Sequence, residues 1–465
     1  MERRNLLKTG GLAGLAAMMM PKGALTAPPE GTMAAREEAA QQAAAAATRG
    51  LPMPKIKDIQ VIETQPSGQM LTIVKIITDQ AGLYGYGCAT MAKRALLIKP
   101  AVEAYLKPLL LDRTVDRIED AWQSGNNAAF WKNDSVLNQA LSGIDLALWD
   151  IKGKMAGWPV YQLLGGKVRE AATVYGGFSG GGGGGEEGGA PAAGRGADPM
   201  AGVEAVRKQM AAGVRYFRTS IGNPRMEGLA GPATDRDAAY RSAIKTLEFF
   251  RKELGDEVGL GIDIHERFDA QQAVRFCKAV EHLNLFMVED PLSPEDQAWF
   301  KLIREQCTTP IAMGELIKNP HEWQPLIENR WIDYIRCHLT NVGGLTPCRK
   351  IALMAEQYGV KTAWHNPTMT SPIGHMAGLT LDVTSVNFGL HEYQADSANI
   401  KEVFKGAREV RDGYAWVSEK PGWGIEVDEK VAAKFPYKSE PGNPKFLNGG
   451  QTNTRLRDGS VIKVP

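Results

Sequence analysis

From about residue 173 the chain repeats one pattern: a short apolar stretch, then a segment of helix length. The stretches predicted as strands are 173–178, 216–221, 259–264, 285–289, 310–315, 334–339, 361–365 and 387–392. Strands that alternate with helices pair in parallel, because each helix carries the chain back to the start of the next strand. Eight such units close into a (β/α) barrel, a packed core whose chemistry sits where the strands end. A charged residue at a strand end is therefore conspicuous. Asp263, Glu289 and Glu315 end three successive strands, each 26 positions after the last. Spacing by one βα unit brings the three carboxylates to one side of the barrel mouth. Converging carboxylates repel one another unless a cation lies between them, and an all-oxygen donor set suits Mg²⁺.

The same phase carries other polar residues to the mouth. His265 lies two positions beyond Asp263, on the same side of an extended strand. His338 and His365 end the sixth and seventh strands, Glu392 ends the eighth, and Arg218 lies in the second. This set suits removal of a proton next to a carboxylate. Such a proton is too weakly acidic for a side-chain base alone, and a cation on the substrate carboxylate would stabilise the enediolate that forms. A histidine can take the proton. A second acid can then protonate a departing β-hydroxyl, with net loss of water.

Ahead of the barrel, residues 55–170 read as an α+β domain. Strands are predicted at 56–64 and 70–79, and helices at 101–109, 115–125 and 135–156. In the last helix Leu137, Leu141, Ile144, Leu148 and Ile151 recur at helical spacing. The barrel spans 171–399. Its glycine-rich insertion at 180–196 is no phosphate loop, since no Lys-Ser/Thr follows. A Gly-, Pro- and Lys-rich segment, 400–465, follows.

At the other end, Arg3-Arg4 precedes Leu6-Leu7-Lys8 and a short apolar run. Residues 1–27 have the form of a twin-arginine export signal, which implies a periplasmic or exported protein. Residues 28–54 form an Ala/Pro-rich linker. Five scattered cysteines show no metal-binding spacing and no disulfide framework. A formal net charge of +1 implies no broad attraction to nucleic acid or, after signal removal, to an anionic membrane.

Several runs carry a family resemblance: GIDLALWDIKGK at 143–154, YQLLGG at 161–166, DIHER at 263–267, VED at 288–290, GE at 314–315, NFGLHEY at 387–393 and PGWGIEVDE at 421–429. From about residue 55 to 437 the chain resembles the enolase superfamily, and within it the mannonate dehydratase subgroup. The resemblance implies a (β/α)₇β barrel under an α+β capping domain to which the C-terminal segment returns. It also implies one Mg²⁺ on Asp263, Glu289 and Glu315, a small sugar acid or hydroxy acid as substrate, and a homo-oligomer.

Carried over position by position, His265 matches the acid that helps the hydroxyl leave. Arg218, His365 and Glu392 match active-site positions, and Trp131 is a further candidate for substrate binding. The chain also departs from the subgroup. Residues 222–233 lack its tyrosine base, Ala92 replaces an asparagine, and Gly177 replaces a histidine. His338 stands in place of a small residue, where it can pair with His365 as the missing base. The expected activity is a magnesium-dependent hydro-lyase. A racemase, epimerase or cycloisomerase of the same chemistry, and a catalytically silent metal-bound sugar-acid receptor, are the alternatives.

Overall fold

A computed structural model describes residues 53–91, 94–178, 199–221, 235–367 and 370–438, with positions 456, 458 and 460. The predicted export segment 1–27, nearly all of the predicted linker 28–54, Ala92, the glycine-rich insertion and residues 222–233 lie outside the described residues.

The capping sheet consists of β1 (Ile56–Thr64), β2 (Leu71–Thr78) and β3 (Tyr84–Cys88), antiparallel in the order β1-β2-β3. The third strand was not predicted. Its alternating sequence, Tyr84-Gly85-Tyr86-Gly87-Cys88, lacks the β-branched residues that mark a strand. The glycines have a different purpose. A Cβ on Gly87 would stand 2.0 Å from the Gly143 carbonyl oxygen, so the strand rests directly on the backbone of helix Ser135–Ala156. That helix begins at Asp134, whose carboxylate accepts from Leu137 N at 2.9 Å, and ends at left-handed Gly157. The helices predicted at 101–109 and 115–125 run from Ile98 to Leu110, with a π-helical middle, and from Ile118 to Asn126.

The barrel strands are β4 (Ala172–Gly177), β5 (Tyr216–Ser220), β6 (Gly259–Asp263), β7 (Met287–Glu289), β8 (Ile311–Met313), β9 (Tyr334–Ile335), β10 (Lys361–Thr362) and β11 (His391–Glu392). All neighbours pair in parallel, and a helix lies between each successive pair. The ring closes where β11 pairs with β4 and where Phe388, just ahead of β11, bridges to Thr362. The strands are shorter than predicted, most of all β9 and β11. Backbone pairing nevertheless continues past β9 and β10, where His338 and His365 form a parallel bridge that carries their side chains toward the mouth.

The segment after residue 400 divides. A hairpin, Glu409–Arg411 with Tyr414–Trp416, pairs antiparallel with the start of β4, so this part joins the barrel. Farther on the chain returns to the cap. Thr64 Oγ1 donates to Ala432 O at 2.9 Å, and Thr72 and Tyr437 share a hydroxyl hydrogen bond at 2.8 Å. The cap in turn sits on the loops that follow β8 and β9. Asn138 donates to Lys318 O and Asn341 O, and Asp145 accepts from Thr346 N at 3.0 Å.

One buried carboxylate ties three of these pieces together. Asp150 accepts from Tyr86 N at 3.0 Å and Trp423 N at 2.9 Å, and pairs with Lys154 at 2.8 Å. Asp150→Ala strips two buried N–H groups of their acceptor. It is expected to cost about 3 kcal/mol in chemical denaturation; a loss below ~1 kcal/mol would mean that water replaces the carboxylate.

Candidate functional site

The barrel fills from the bottom with an apolar and aromatic layer: Tyr175, Met287, Ala312 and Leu390, with Tyr216, Phe286 and Tyr334 against them. Above that layer the interior becomes ionic. Arg218 Nη1 donates to Glu289 Oε1 at 2.5 Å, and its Nη2 donates to Glu392 Oε1 at 3.2 Å. Arg336 Nε meets the same Glu289 oxygen at 2.6 Å, while its Nη2 donates to Glu392 Oε2 at 2.7 Å. The two guanidinium groups both lie near the Tyr175 ring, at 5.6 and 5.7 Å from its centroid.

Burial alone would raise the Glu392 pKa, but Arg336 and Arg218 outweigh it and hold this carboxyl well below its ordinary range. Glu392 is only 2% exposed, so in this arrangement it serves as a counter-ion. Its strand is fixed from behind. Arg408 Nη1 donates to His391 Nε2 at 2.7 Å, and His391 Nδ1 meets Asp382 at 2.6 Å.

The acidic end of the site lies at the tips of β6, β7 and β8. Glu289, Asp290 and Glu315 each offer an oxygen within 4.8 Å of the others. Asp263 pairs across the ladder with Glu289 and approaches Arg218 at 3.8 Å. Asp290 and Glu266 belong to the same cluster and were not among the predicted residues. Asp290 directly follows Glu289, and the alternation of an extended strand would send it to the other side. The strand ends there: Asp290 has φ +40°, and Glu266 has φ +51°. Left-handed backbone at non-glycine residues is strained, and here it turns the side chains back toward the cluster. His265 also has φ +55°, so the extended-strand argument for it does not hold. It nevertheless reaches the mouth, with Nε2 3.6 Å from Glu315 Oε1. Gly314 allows β8 to end this close to its neighbour, since a Cβ there would stand 2.7 Å from Cys337 N.

Asp263 Oδ1, Glu289 Oε2, Asp290 Oδ2 and both oxygens of Glu266 are buried and accept no hydrogen bond from the protein. Burial raises the pKa values of Glu266 and Asp290 far above their ordinary values, and the neighbouring carboxylates raise them further. Burial pushes Glu315 up to about 7; Asp263 and Glu289 add to the rise, and His265 opposes it. Unpartnered carboxylate oxygens in mutual repulsion suit a hard divalent cation, so the residues present fit Mg²⁺. A pH dependence follows. Between about 4.5 and 7 the folded, metal-free chain holds a proton on Glu315 that the unfolded chain has released, so stability falls as pH rises through this window. Mg²⁺ binds the ionised cluster and should reverse the loss. Thermal melts with Mg²⁺ and with chelator should differ more at about pH 8 than at about pH 5; an equal difference would count against a shared cation.

On the other side of Glu315 lie two histidines. His365 Nε2 is 3.4 Å from Glu315 Oε2, and its Nδ1 is 2.9 Å from His338 Nδ1. His338 Nδ1 also meets His365 O at 3.2 Å. Burial lowers His365 well below the ordinary histidine range and takes His338 down to about 4, so both rings are neutral near pH 7. Glu315 thus stands between two imidazoles, one at each oxygen. Trp131 is not brought to this place. It is 88% exposed, next to Phe130, which is 99% exposed. Arg336, fully buried in the ionic layer, was missed. The signal was a charge within the apolar run 334–339, as for Arg218 in its strand.

Comparison with known proteins adds to this geometry. Residues 201–431 match the family described as enolase C-terminal domain-like, and residues 44–165 match the mandelate racemase / muconate lactonizing enzyme N-terminal domain. A D-galactonate dehydratase family member from Pantoea ananatis is 42% identical over 435 residues, covering 87% of this chain and 98% of that one. Another from Enterococcus gallinarum is 41% identical over 423 residues, covering 88% and 97%. The crystal structure of an enolase from Pantoea ananatis with bound D-gluconate and Mg superposes with a TM-score of 0.79 at 40% identity, covering 88% of this chain and 99% of that one.

Proposed function

Because the chain belongs to the enolase superfamily, alongside proteins named D-galactonate dehydratase family members, we propose that it is a magnesium-dependent hydro-lyase that removes water from a sugar acid. The observation that carries this reading is Glu315 within a carboxylate cluster and flanked by two imidazoles, with His265 at one oxygen and His365 at the other. Mg²⁺, when bound, polarises the substrate carboxylate and makes its α-proton more acidic. Asp263, Glu289 and Glu315 would hold it, with Asp290 offering a further oxygen.

His365 takes the α-proton at Nε2. This requires its own proton on Nδ1, donated to His338 Nδ1, so His338 positions the base. His265 then gives a proton to the departing β-hydroxyl. Arg218 and Arg336, paired with Glu289 and Glu392, form a charge-balanced ionic layer that fixes Glu289 in place beneath the site. One contact favours the reverse assignment. The 3.2 Å approach of His338 Nδ1 to the His365 carbonyl suits a proton on His338, which makes His365 Nε2 a donor and leaves His265 as the base.

D-Gluconate, bound by the solved relative, heads the substrates to assay, followed by D-galactonate and D-mannonate. Incubation with Mg²⁺ should yield a 2-keto acid lighter than the substrate by one water. Exchange of the α-proton with deuterium and no elimination would mark an epimerase. Neither reaction with any member of the panel would sink the reading. For the export segment, Arg3→Lys with Arg4→Lys should retain the protein in the cytoplasm, as judged by fractionation. Unchanged delivery to the periplasm would reject the twin-arginine route.

A further inference from the structure

Three barrel helices are capped by their own neighbours in sequence. Helices Arg236–Leu254, Ala270–Ala279 and Pro320–Glu328 begin at Asp235, Asp269 and Asn319, whose side chains accept from the first turn. Helix Leu345–Gln357, which follows β9, differs. It begins at Gly344, which has no side chain to cap with. The acceptor comes from the capping domain instead. Asp145, on helix Ser135–Ala156, accepts from Thr346 N at 3.0 Å and from the Thr346 hydroxyl. Trp149, one turn farther along, donates to the same hydroxyl oxygen at 3.0 Å. Gly344 makes room for the carboxylate: its φ is +109°, and a Cβ there would stand 2.5 Å from Asp145 Oδ2.

The segment that joins β9 to this helix is buried throughout, from Arg336 to Thr346. It begins beside the proposed chemistry. His338 bridges to His365, and its carbonyl accepts from Asn341 N at 2.9 Å and Val342 N at 3.2 Å. The residues after His338 therefore set its backbone, and the capping domain holds those residues. Asn138 Nδ2 donates to Asn341 O at 2.8 Å, Trp122 Nε1 donates to Gly343 O at 2.9 Å, and Thr340 Oγ1 donates to Thr90 O at 3.3 Å.

We propose that Asp145 is a positioning residue for the reaction. By capping helix Leu345–Gln357 from the other domain, it anchors the far end of the segment that sets His338, and through His338 the aim of His365. This role rests on His365 and His338 as the base and its partner, as proposed above. Asp145 itself touches neither of them. The seating of the cap thus decides where the base points, as well as what covers the site.

Turnover and solvent exchange of the α-proton test this in Asp145→Ala, in His338→Ala and in the double variant. Assays at about pH 8 keep Asp145 ionised, since burial raises its carboxyl to about 7. Asp145→Ala should lower both rates by about 10–100-fold, the effect of a misplaced base, with KM and Mg²⁺ affinity close to wild type. In the His338→Ala background the same change should cost less than about twofold, because the group it positions has gone. Asp145→Asn keeps a capping oxygen and should restore most of the rate. Equal losses in the two backgrounds, undiminished turnover in Asp145→Ala, or no rescue by asparagine would each overturn the proposal. If Asp145→Ala does not fold, Thr346→Val takes its place. It removes only the hydroxyl that Asp145 and Trp149 share, and its loss of rate should likewise need His338; an equal loss without His338, or none, overturns the proposal. A spectroscopic comparison separates this outcome from a failure of the proposed function. With the seven histidines labelled with nitrogen-15, Asp145→Ala should shift the imidazole signals of His338 and His365 and leave those of exposed His282 and His321 in place. Unmoved signals would overturn the proposal itself. Shifted signals, with the wild type inactive on every sugar acid, would keep the positioning role and sink the hydro-lyase reading.

Discussion

Glu289→Gln is expected to abolish tight Mg²⁺ binding and also to destabilise the metal-free protein. The two effects come from the two oxygens of one carboxylate. Oε2 is unpartnered and faces the cluster, while Oε1 is shared by Arg218 and Arg336. Removing a first ligand should weaken Mg²⁺ by at least the 10–100-fold typical of the outer partners that only orient ligands. Removing the charge also leaves two buried guanidinium groups with Glu392 as their main counter-ion, at a cost of about 3 kcal/mol.

Glu315→Gln separates the effects. Glu315 makes no arginine ion pair among the described residues, and burial, with Asp263 and Glu289, outweighs His265 in resisting its ionisation. That variant should lose Mg²⁺ yet keep or gain stability near neutral pH. Calorimetric Mg²⁺ titrations and denaturation curves on both variants check this. Unchanged Mg²⁺ affinity in Glu289→Gln would remove Glu289 from the ligand set. Asp263→Asn and Asp290→Asn, titrated alike, show which of the two supplies the remaining oxygen.

His365→Asn should lower turnover by about 10²–10⁴-fold, the usual effect of removing a positioned base. It should also lose exchange of the substrate α-proton with deuterium from solvent, while Mg²⁺ and substrate still bind. His265→Asn should behave differently: exchange continues and elimination stops, because only the leaving hydroxyl lacks its donor. His338→Ala adds a third comparison. If His338 only positions the base, the rate should fall while the affinity for substrate stays the same. Native exchange in His365→Asn together with lost exchange in His265→Asn would establish the reverse assignment.

The barrel was legible because its period is set by geometry. Each unit needs one strand and one helix, and polar residues at strand ends stand out against an apolar background. The same contrast pointed to Asp263, Glu289, Glu315, His338 and His365, while the pairing of the two histidines was expected from the place of His338 in the resemblance. What escaped notice lay where the chain leaves regular structure. Asp290 and Glu266 reach the cluster through left-handed backbone, which strand alternation cannot foresee. β3 was hidden by glycines chosen for close approach to a helix. Trp131, expected to bind substrate, is left in solvent.

The hydrogen bonds that close the cap span almost the whole chain. Thr64 meets Ala432 across 368 positions, and Thr72 meets Tyr437 across 365. A ribosome adding about 5–20 residues per second needs roughly 20–70 s to supply those partners. All the barrel strands, carboxylates included, emerge before Trp423 arrives to occupy Asp150. The cover of the site is therefore completed last during synthesis, and a chain of which only about the first 420 residues have left the ribosome would display its cluster of acids beneath a cap still missing its final fastening.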